Sequence, residues 1–349
     1  ARDEHVEAVA QSIDTEWLTA CPLCGSTTLT SRYNAGDLVF GLLGRFPIVT
    51  CSCCHLMFLQ GRPSAASIGY YYPTDYYSYT VKDDTDRGAV WRLRESIKTH
   101  IKRKLQKEPS PLNAWLVCHL LPVDWCAAST FRPPERRGRV FDLGCGAGDW
   151  LNFYHQFGWE THGADISREA CTRASIQGHT VTCGELSDVD YPPGTFDLVR
   201  MSHVIEHLHQ PLTALQKAHQ LMRDDGRLLI LTPNHGGWLA RLFGPWYWQV
   251  DAPRHLFLFT RTTLGRMLGL GGFRILSCQT ISLFLGAERS LACYFADQVG
   301  SRRDPGPALH WVGRGASFIL APVIRLMDRL GWGENLVVVA CKAAEHHGS

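Results

Sequence analysis

The stretch 140–150 of this 349-residue chain reads Val-Phe-Asp-Leu-Gly-Cys-Gly-Ala-Gly-Asp-Trp. Its first half is apolar apart from one acid, which predicts a buried β-strand. Three glycines follow at every second position, Gly144, Gly146 and Gly148. Because glycine has no Cβ, the backbone there can take positive φ and can approach a ligand closely. The stretch therefore predicts a strand that runs directly into a nucleotide-binding turn.

An acidic residue follows about twenty positions beyond this turn. Asp165 ends the next predicted strand, which places a carboxylate where it can meet ribose hydroxyls at the rim of a doubly wound sheet. Further strands are predicted at 181–186, 195–201, 225–234, 271–278 and 335–342. The chain therefore reads as an α/β domain built around the turn.

These motifs as a set resemble the class I S-adenosylmethionine-dependent methyltransferases. The set is Asp-x-Gly-x-Gly-x-Gly, then Asp165, then Phe-Asp-Leu-Val at 196–199 and Gly-Arg-Leu at 226–228. The resemblance covers residues 138–278 and implies a doubly wound, mostly parallel sheet of seven strands. A dinucleotide-dependent dehydrogenase is the alternative, but its Gly-x-Gly-x-x-Gly spacing is absent from 144–148.

The resemblance also implies how the methyl donor, S-adenosylmethionine, would be held. Backbone around Gly144 and Gly146 would bind the methionine part, and Asp165 would accept hydrogen bonds from the ribose hydroxyls. Glu185 and Leu186, after the third strand, would flank the adenine. The full set of candidate donor-binding residues is Asp142, Gly144, Cys145, Gly146, Gly148, Asp165, Ile166, Glu185, Leu186 and Ser202.

Two Cys-x-x-Cys pairs stand near the N-terminus, Cys21 with Cys24 and Cys51 with Cys54. Each pair can wrap one side of a tetrahedral Zn²⁺, and four thiolates without an open position favour a structural metal. Cys53 is a spare thiol, because the spacing of the outer two cysteines repeats that of the first pair. His55 stands where such knuckles often carry glycine, as Gly25 does in the first knuckle. Buried or redox-active thiols are the alternative interpretation.

Residues 21–79 resemble the zinc-ribbon leader of a subset of bacterial class I methyltransferases. Most of those enzymes act on sugars, cell-envelope glycans or secondary metabolites. The leader ends in a tyrosine-rich run over residues 70–79, and tyrosine rings can stack on sugars. The run could therefore line a substrate groove, but packing of the ribbon onto the catalytic domain is the preferred interpretation.

Three histidines are candidates for a catalytic base: His255, His203 and His207, in that order. A neutral imidazole has a suitable pKa to remove the proton of an oxygen acceptor, although an already acidic acceptor would need no base. His-x-x-Glu-His at 203–207 also spells an inverted metalloprotease motif, but Val-Ile-Glu-His-Leu is common here in the resembling family. One quinone O-methylating branch holds a divalent metal at this position. His203 replaces the first Glu of that branch, which argues against carrying the metal over.

Residues 238–259 follow the fifth strand and are dense in aromatic side chains. Their place on the donor edge predicts either a wall of the acceptor pocket or a plain hydrophobic lid, and both interpretations stay open. Arg254-His255-Leu and the following Phe-Thr-x-x-Thr-Leu also match the resembling family. Thr260 is predicted as the N-cap of a helix at 263–270.

The composition fits an ordered globular protein with room for more than one domain. Hydrophobic residues make up 45% and charged residues 19% of the chain. The net charge of +2 gives no strong reason to expect nucleic acid, and thirteen cysteines favour reduced thiols plus a metal site. No apolar run approaches the roughly twenty residues of a membrane-spanning helix, and the first residues lack a secretory apolar core. The expected location is cytoplasmic.

Five segments are predicted: a zinc-ribbon module at 1–80, a helical linker at 81–137, the methyltransferase core at 138–280, a helical insertion at 281–334 and the last core strand at 335–345. The linker contains a basic helix at 88–107 and a second helix at 113–121. For the basic face, exposure to solvent is favoured over phosphate binding. Apolar stretches of the insertion are expected to cap the core or to pair two subunits as a homodimer. A peripheral membrane contact is the alternative.

The sequence thus predicts methyl transfer from S-adenosylmethionine to a hydroxyl of a sugar, glycan or secondary metabolite, in a protein with a structural zinc. Three alternatives are C-methylation of a nucleotide sugar, methylation of RNA read by the zinc ribbon, and a catalytically inactive binding module. The intact glycine turn and Asp165 argue against the last of these.

Overall fold

The structure is a computed structural model that describes residues 13–72, 137–282, 286–299 and 321–344. Four sequence predictions lie largely outside these residues: the tyrosines beyond residue 72, the two linker helices at 88–107 and 113–121, and the linker itself. They stay predictions.

Residues 13–72, called the ribbon below, form short antiparallel strands. These are β1 (Thr15–Trp17), β2 (Leu29–Ala35), β3 (Phe46–Cys51), β4 (Met57–Leu59) and β5 (Gly61–Pro63). Strands β2, β3 and β4 pair in sequence order, and β1 pairs with β5. The ribbon buries Ile48, Phe58 and Leu59 completely, so apolar side chains hold its sheet together as well as the cysteine pairs.

The core is a seven-stranded sheet. Its strands are β6 (Arg139–Leu143), β7 (Glu160–Asp165), β8 (Thr180–Cys183), β9 (Phe196–Ser202), β10 (Met222–Pro233), β12 (Phe273–Ile281) and β13 (Asn335–Lys342). Their order is β12-β13-β10-β9-β6-β7-β8, and only β13 runs antiparallel to its neighbours. The predicted α/β fold with a mostly parallel seven-stranded sheet is therefore confirmed, and β13 has the bounds predicted for the last strand.

The strand predicted at 181–186 ends earlier than expected, at Cys183. Gly184 has a φ of +155°, and a 3₁₀ turn, Leu186–Asp188, begins after Glu185. The Asp188 carboxylate accepts the Glu185 amide at 2.8 Å, which favours the turn over a longer strand. Glu185 and Leu186 therefore lie in the loop after β8.

Seven helices of the described residues connect or flank the strands of the core sheet. They are α1 (Asp149–His155), α2 (Arg168–Ile176), α3 (Pro211–Leu221), α4 (Trp238–Phe243), α5 (Arg261–Leu270), α6 (Gly286–Val299) and α7 (Ala321–Arg329). Thr260 is the N-cap of α5, as predicted, and its side chain accepts the Thr263 amide. Among the described helices, none combines the length and apolar character that crossing a membrane requires.

The sheet of the ribbon, which is separate from the seven-stranded core sheet, takes one strand from the core part of the chain. Strand β11 (Phe257–Leu258), from the aromatic segment at 238–259, pairs with β4 of the ribbon. Phe257 and Leu258 are almost fully buried in this junction. The aromatic segment therefore joins the ribbon to the core, and this contact could not be read from the spacing of its aromatic residues.

The two described helices of the predicted insertion rest on the core. On α6, Arg289 stacks over the Trp248 ring at 4.5 Å and Asp297 accepts the Trp246 indole N–H at 2.9 Å. Next to α7, Thr280 and Ser282 of the core donate to Asp328. These contacts support the expectation that the insertion caps the core, and a homodimer stays a prediction.

Candidate active site and cysteine cluster

The glycine turn and Asp165 meet at the carboxyl edge of the sheet. The Asp165 carboxylate accepts the Gly146 amide at 2.9 Å and the Ser167 amide at 2.8 Å. Gly144 and Gly146 take φ values of +71° and +53°, and a Cβ on Gly144 would lie 2.5 Å from the Val204 side chain. The turn therefore needs glycine for conformation and for space. The sequence prediction placed these residues together, and the structure does so.

The other candidate donor residues follow the same edge. Ile166 directly follows Asp165 and is 64% exposed, which is high for a large apolar side chain. Glu185 and Leu186 follow β8, and Ser202 ends β9. Because the carboxyl ends of parallel strands share one edge, all four lie along the rim that begins at the glycine turn. Their contacts with a donor stay predictions.

Two candidate donor residues point inward. The Asp142 side chain is buried, and both of its oxygens accept hydrogen bonds from Arg200 Nη1, at 2.7 and 2.8 Å. Burial raises the pKa of Asp142 to about 6, against the opposing effect of the Arg200 guanidinium. Cys145 is 6% exposed, and burial raises the pKa of its thiol. Both side chains are thus buried in the protein interior, and donor binding by them stays a prediction.

The three candidate catalytic histidines surround one carboxylate. We call His203, Glu206, His207 and His255 the histidine cluster. The rings of His207 and His255 have centroids 4.6 Å apart, and His203 Nδ1 lies 3.2 Å from Glu206 Oε1. His203 takes a φ of +52° directly after β9, which turns the chain toward Glu206. The cluster thus sits at the carboxyl end of the strand beside β6.

Backbone carbonyls fix the proton positions on two of these rings. His207 Nδ1 lies 3.0 Å from the Arg254 carbonyl, with the Tyr72 hydroxyl also at 3.0 Å, and His255 Nδ1 lies 2.7 Å from the Gln249 carbonyl. Because a carbonyl oxygen can only accept, each Nδ1 carries the proton. Burial keeps the His207 ring neutral, so its Nε2 holds a free lone pair, and His255 Nε2 lies 3.8 Å from Asp251 Oδ2.

The carboxylate at the centre is buried and ionised. Glu206 is 1% exposed, and its Oε2 accepts the Thr232 hydroxyl at 2.9 Å. Within the described part of the chain, no group makes a well-aligned hydrogen bond to Oε1. Burial would raise the pKa of Glu206, but the imidazoles of His203, His207 and His255 lower it to about 2. Burial and the proximity of His255 lower the pKa of His207 to about 4.

Such a group can do two kinds of chemistry. A neutral imidazole beside a carboxylate can accept a proton and be stabilised as imidazolium. One ligand atom each from Glu206, His207 and His255 also lies within 4.8 Å of the others, a set that could hold a divalent cation. His255 joins this set from a distant segment of the chain. His203 is not a member of the set and contacts it only through Glu206.

The sequence interpretation missed several residues of this site. It quoted Glu206 and Arg254 without giving either a role, it left Asp37 out, and it included Tyr72 only in the tyrosine-rich run at 70–79. Glu206 could have been found from its place in the Val-Ile-Glu-His-Leu motif, and Arg254 from its place beside His255. No local signal marks Asp37 or the contact of Tyr72 with His207, because the partners lie more than a hundred residues away.

The cysteine pairs come together as the spacing predicts. The Cys21 and Cys54 sulfurs lie 3.5 Å apart, as do the Cys24 and Cys51 sulfurs, and Cys53 is exposed. Four sulfurs at 2.3 Å from a tetrahedral zinc would be about 3.8 Å apart, so the set fits Zn²⁺. The structure confirms that the four cysteine sulfurs lie close together, and the binding of zinc stays a proposal.

The two cysteine knuckles share one backbone shape. The amide of Gly25 donates to the Cys21 carbonyl at 2.8 Å, and that of His55 donates to the Cys51 carbonyl at 2.9 Å. Their φ values are +73° and +63°, so His55 takes the left-handed conformation that glycine takes in the first knuckle. Burial would raise the pKa of Cys51, but hydrogen bonds from nearby amides lower it to about 6, whereas burial raises the pKa of Cys21 and of Cys54.

The aromatic segment lies between the histidine cluster and the ribbon. It carries His255 and, with Gly36, Val39 and Cys293, lines a cavity of about 10 Å³. This cavity is far smaller than common ligand pockets of 300–1,000 Å³. Whether the segment also forms a wall of an acceptor pocket stays a prediction.

Residues 119–278 match a family model described as a methyltransferase domain. This match covers a little under half of the chain, and together with the strand order it supports the predicted methyltransferase domain at these residues.

Three curated relatives match part of the chain. A ubiquinone biosynthesis O-methyltransferase of Ralstonia nicotianae is 26% identical over 145 residues, 38% of this chain and 59% of the relative. An ajmaline N-methyltransferase of Rauvolfia serpentina is 30% identical over 120 residues, 32% of this chain and 41% of the relative. A malonyl-[acyl-carrier protein] O-methyltransferase of Herminiimonas arsenicoxydans is 27% identical over 181 residues, 48% of this chain and 66% of the relative. The chain therefore spans less than two thirds of each of these relatives.

Among solved structures, an S-adenosylmethionine-dependent methyltransferase from Mesorhizobium loti is similar over 63% of this chain and 98% of its own length, with 18% identity and a TM-score of 0.42. A second one, from Archaeoglobus fulgidus, is similar over 67% of this chain and all of its own, with 19% identity and a TM-score of 0.42.

Proposed function

We propose that this chain transfers a methyl group from S-adenosylmethionine to a hydroxyl of a sugar, glycan or secondary-metabolite acceptor. One observation carries the proposal: the Gly146–Asp165 turn and the histidine cluster lie at the carboxyl ends of neighbouring parallel strands. Ligands of open α/β sheets bind at this edge, so a donor on the turn would face an acceptor beside the imidazoles.

On the donor side, the chain's own residues fit an adenosyl group bound to methionine. Backbone at Gly144 and Gly146 would hold the methionine part, and the Asp165 oxygens keep lone pairs for the ribose hydroxyls after binding two amides. The exposed Ile166 offers an apolar surface to the adenine, with Glu185 and Leu186 on its other side. When bound, S-adenosylmethionine would supply an electrophilic methyl group on a sulfonium.

On the acceptor side, Nε2 of His255 or His207 would remove the proton of the hydroxyl. His207 Nε2 carries a free lone pair because the Nδ1–H of this ring donates to a backbone carbonyl, and Nδ1 of His255 has the same kind of partner. The ionised Glu206 would stabilise the imidazolium that forms. Correct placement of the two reactants is the larger contribution, since the displacement itself needs contact and alignment.

The four ribbon cysteines are proposed to hold one structural Zn²⁺. Three features support this role: the distances between the sulfurs, the matching hydrogen bonds from backbone amides in the two knuckles, and a set of four thiolates that fills a tetrahedral metal. C-methylation of a nucleotide sugar is the nearest alternative reaction. Neither it nor RNA methylation is favoured by a contact of the described residues.

Two measurements test the proposal. Calorimetry should detect S-adenosylmethionine and S-adenosylhomocysteine binding to the purified protein. Crystals soaked with S-adenosylhomocysteine should show its sulfur between the glycine turn and the histidine cluster. Labelled methyl transfer to a panel of sugars and phenols would then identify the acceptor. A folded, zinc-loaded protein that binds neither compound would contradict the proposal and leave the inactive binding module.

A further inference from the structure

Arg254 is a fully buried cation that joins the ribbon to the core. Its side chain is 0% exposed and is held by two carboxylates: Asp37 of the ribbon, at 2.8 and 3.0 Å, and Asp251, which accepts from Nε at 3.0 Å. It also donates to the Tyr71 carbonyl at 3.0 Å, and its guanidinium lies 4.8 Å from the centre of the Phe40 ring. A buried guanidinium needs such partners, because an uncompensated charge in the interior is strongly destabilising.

Asp37 is itself fixed within the ribbon. Its side chain is fully buried, and its oxygens accept the amides of Val39, Phe40 and Leu42 at 3.1, 2.8 and 3.3 Å. The carboxylate therefore has one orientation, set by a ribbon loop, and Arg254 must follow that orientation to keep both of its bonds to Asp37.

The backbone of the Arg254 segment is tied directly to the histidine cluster. The Arg254 carbonyl accepts the His207 Nδ1–H at 3.0 Å, and His255 is the next residue. The Leu256 amide donates to the Glu206 carbonyl at 2.8 Å. A shift of Arg254 would therefore move the acceptor of the His207 ring, the His255 backbone and the backbone of Glu206 together.

We infer that Asp37 of the ribbon, acting through Arg254, is a positioning residue for the imidazoles of His207 and His255. The ribbon then forms part of the acceptor side of the site. The Tyr72 hydroxyl, 3.0 Å from His207 Nδ1, is a second contact from the ribbon to the same ring. The role of this contact chain in methyl transfer rests on the proposed function, but the contact chain itself does not.

The test measures the tautomers of the two rings by NMR of protein labelled with ¹⁵N-histidine. In the native protein, both rings should carry the proton on Nδ1 only. In Asp37→Asn, His207 and His255 should lose this preference and give the averaged ring signals of mobile imidazoles. Asp37→Glu keeps the charge and should retain the native tautomers more closely than Asp37→Asn does.

The matched control is Asp297→Asn, which breaks the ion pair with Arg45 across the same ribbon–core boundary but does not touch the cluster. It should leave both tautomers unchanged. If Asp37→Asn does not fold, the triple variant Asp37→Asn, Asp251→Asn, Arg254→Met removes the buried cation together with both of its carboxylate partners, so that no member of the triad is left as an unpaired charge. That variant should show the same loss of tautomer preference.

Native tautomers in a folded Asp37→Asn protein, or in the folded triple variant, would overturn the inference. Equal loss in Asp297→Asn would also overturn it, because the effect would then come from general loosening of the boundary. Binding of S-adenosylhomocysteine, measured on the same samples, keeps the two proposals apart. Its absence in the native protein contradicts the proposed function and leaves the tautomer result standing.

Discussion

On the donor side, Gly146 and Asp165 meet across 19 residues of chain, whereas on the histidine side Tyr72 reaches His207 across 135 residues and Arg254 reaches Asp37 across 217. The first contact is between a backbone amide and the carboxylate at the end of the neighbouring strand. The others depend on side chains from two parts of the molecule. The Gly146–Asp165 contact is therefore a property of one βαβ unit, whereas the histidine side also has contacts to the ribbon.

This difference suggests separate failure of the two sides. A variant that damages the ribbon should disturb the histidines and spare the donor turn. A variant of the donor turn should do the reverse. Four variants test this contrast.

The largest effect is expected from the double variant Cys21→Ser, Cys24→Ser. It removes half of the cysteine set, so metal analysis should show the loss of about one zinc equivalent together with unfolding of the ribbon. The affinity for S-adenosylhomocysteine should change by less than about 10-fold, or about 1.4 kcal/mol of binding free energy, because the donor turn lies outside the ribbon. Cys53→Ser is the control and should keep both zinc and fold, because Cys53 is exposed and outside the set. Unchanged zinc content in the double variant would refute the assignment.

The next effect concerns the donor side. Asp165→Ala removes the acceptor of the Gly146 and Ser167 amides and the proposed partner of the ribose. Hydrogen bonds to a charged group contribute about 1.5–3 kcal/mol, so donor affinity should fall roughly 10- to 100-fold by calorimetry. The histidine tautomers should not change. Asp190→Ala, an exposed acid after β8, is the control; equal weakening there would remove the special role of Asp165.

A smaller effect follows from the neutral state of His207. Its pKa in the folded protein, about 4, lies below the ordinary value of about 6.5, so the unfolded chain binds the extra proton first. Stability from this residue is therefore fully present above pH 6.5 and is lost as pH falls toward 4. The free energy of unfolding should fall between pH 7 and pH 5 in the native protein. In His207→Gln this fall should be smaller by about 1–2 kcal/mol. An identical difference in both proteins would show that His207 is not buried as a neutral ring.

The smallest effect compares the two knuckles. His55 takes a left-handed backbone conformation, which costs a residue with a side chain about 1–2 kcal/mol. A glycine would remove this cost, but it would also increase the conformational entropy of the unfolded chain and so offset part of the gain. His55→Gly should therefore stabilise the ribbon by roughly 0.5–1 kcal/mol in thermal unfolding. Gly25→Ala, at φ +73° in the first knuckle, should destabilise it. Destabilisation by His55→Gly would mean that the His55 side chain makes a contribution of its own.

Much of the donor side and of the cysteine cluster could be predicted from the sequence. The glycine turn, Asp165 and the two Cys-x-x-Cys pairs are short-range patterns, and strand–turn geometry brings each of them together. The bounds of β8 could not be predicted, because a side-chain bond from Asp188 decides where that strand ends. The inward direction of Asp142 could not be predicted either, because its partner Arg200 lies on a neighbouring strand.

Local spacing was enough to predict the glycine turn and the four cysteines, and the family resemblance implied the mostly parallel α/β core. Tertiary packing alone places His203, His207 and His255 around Glu206 and links them through Arg254 to Asp37 of the ribbon. The physical reason is the buried charge of Arg254. Its carboxylate partners can come from any part of the chain, and burial selects the pair that the fold brings within reach.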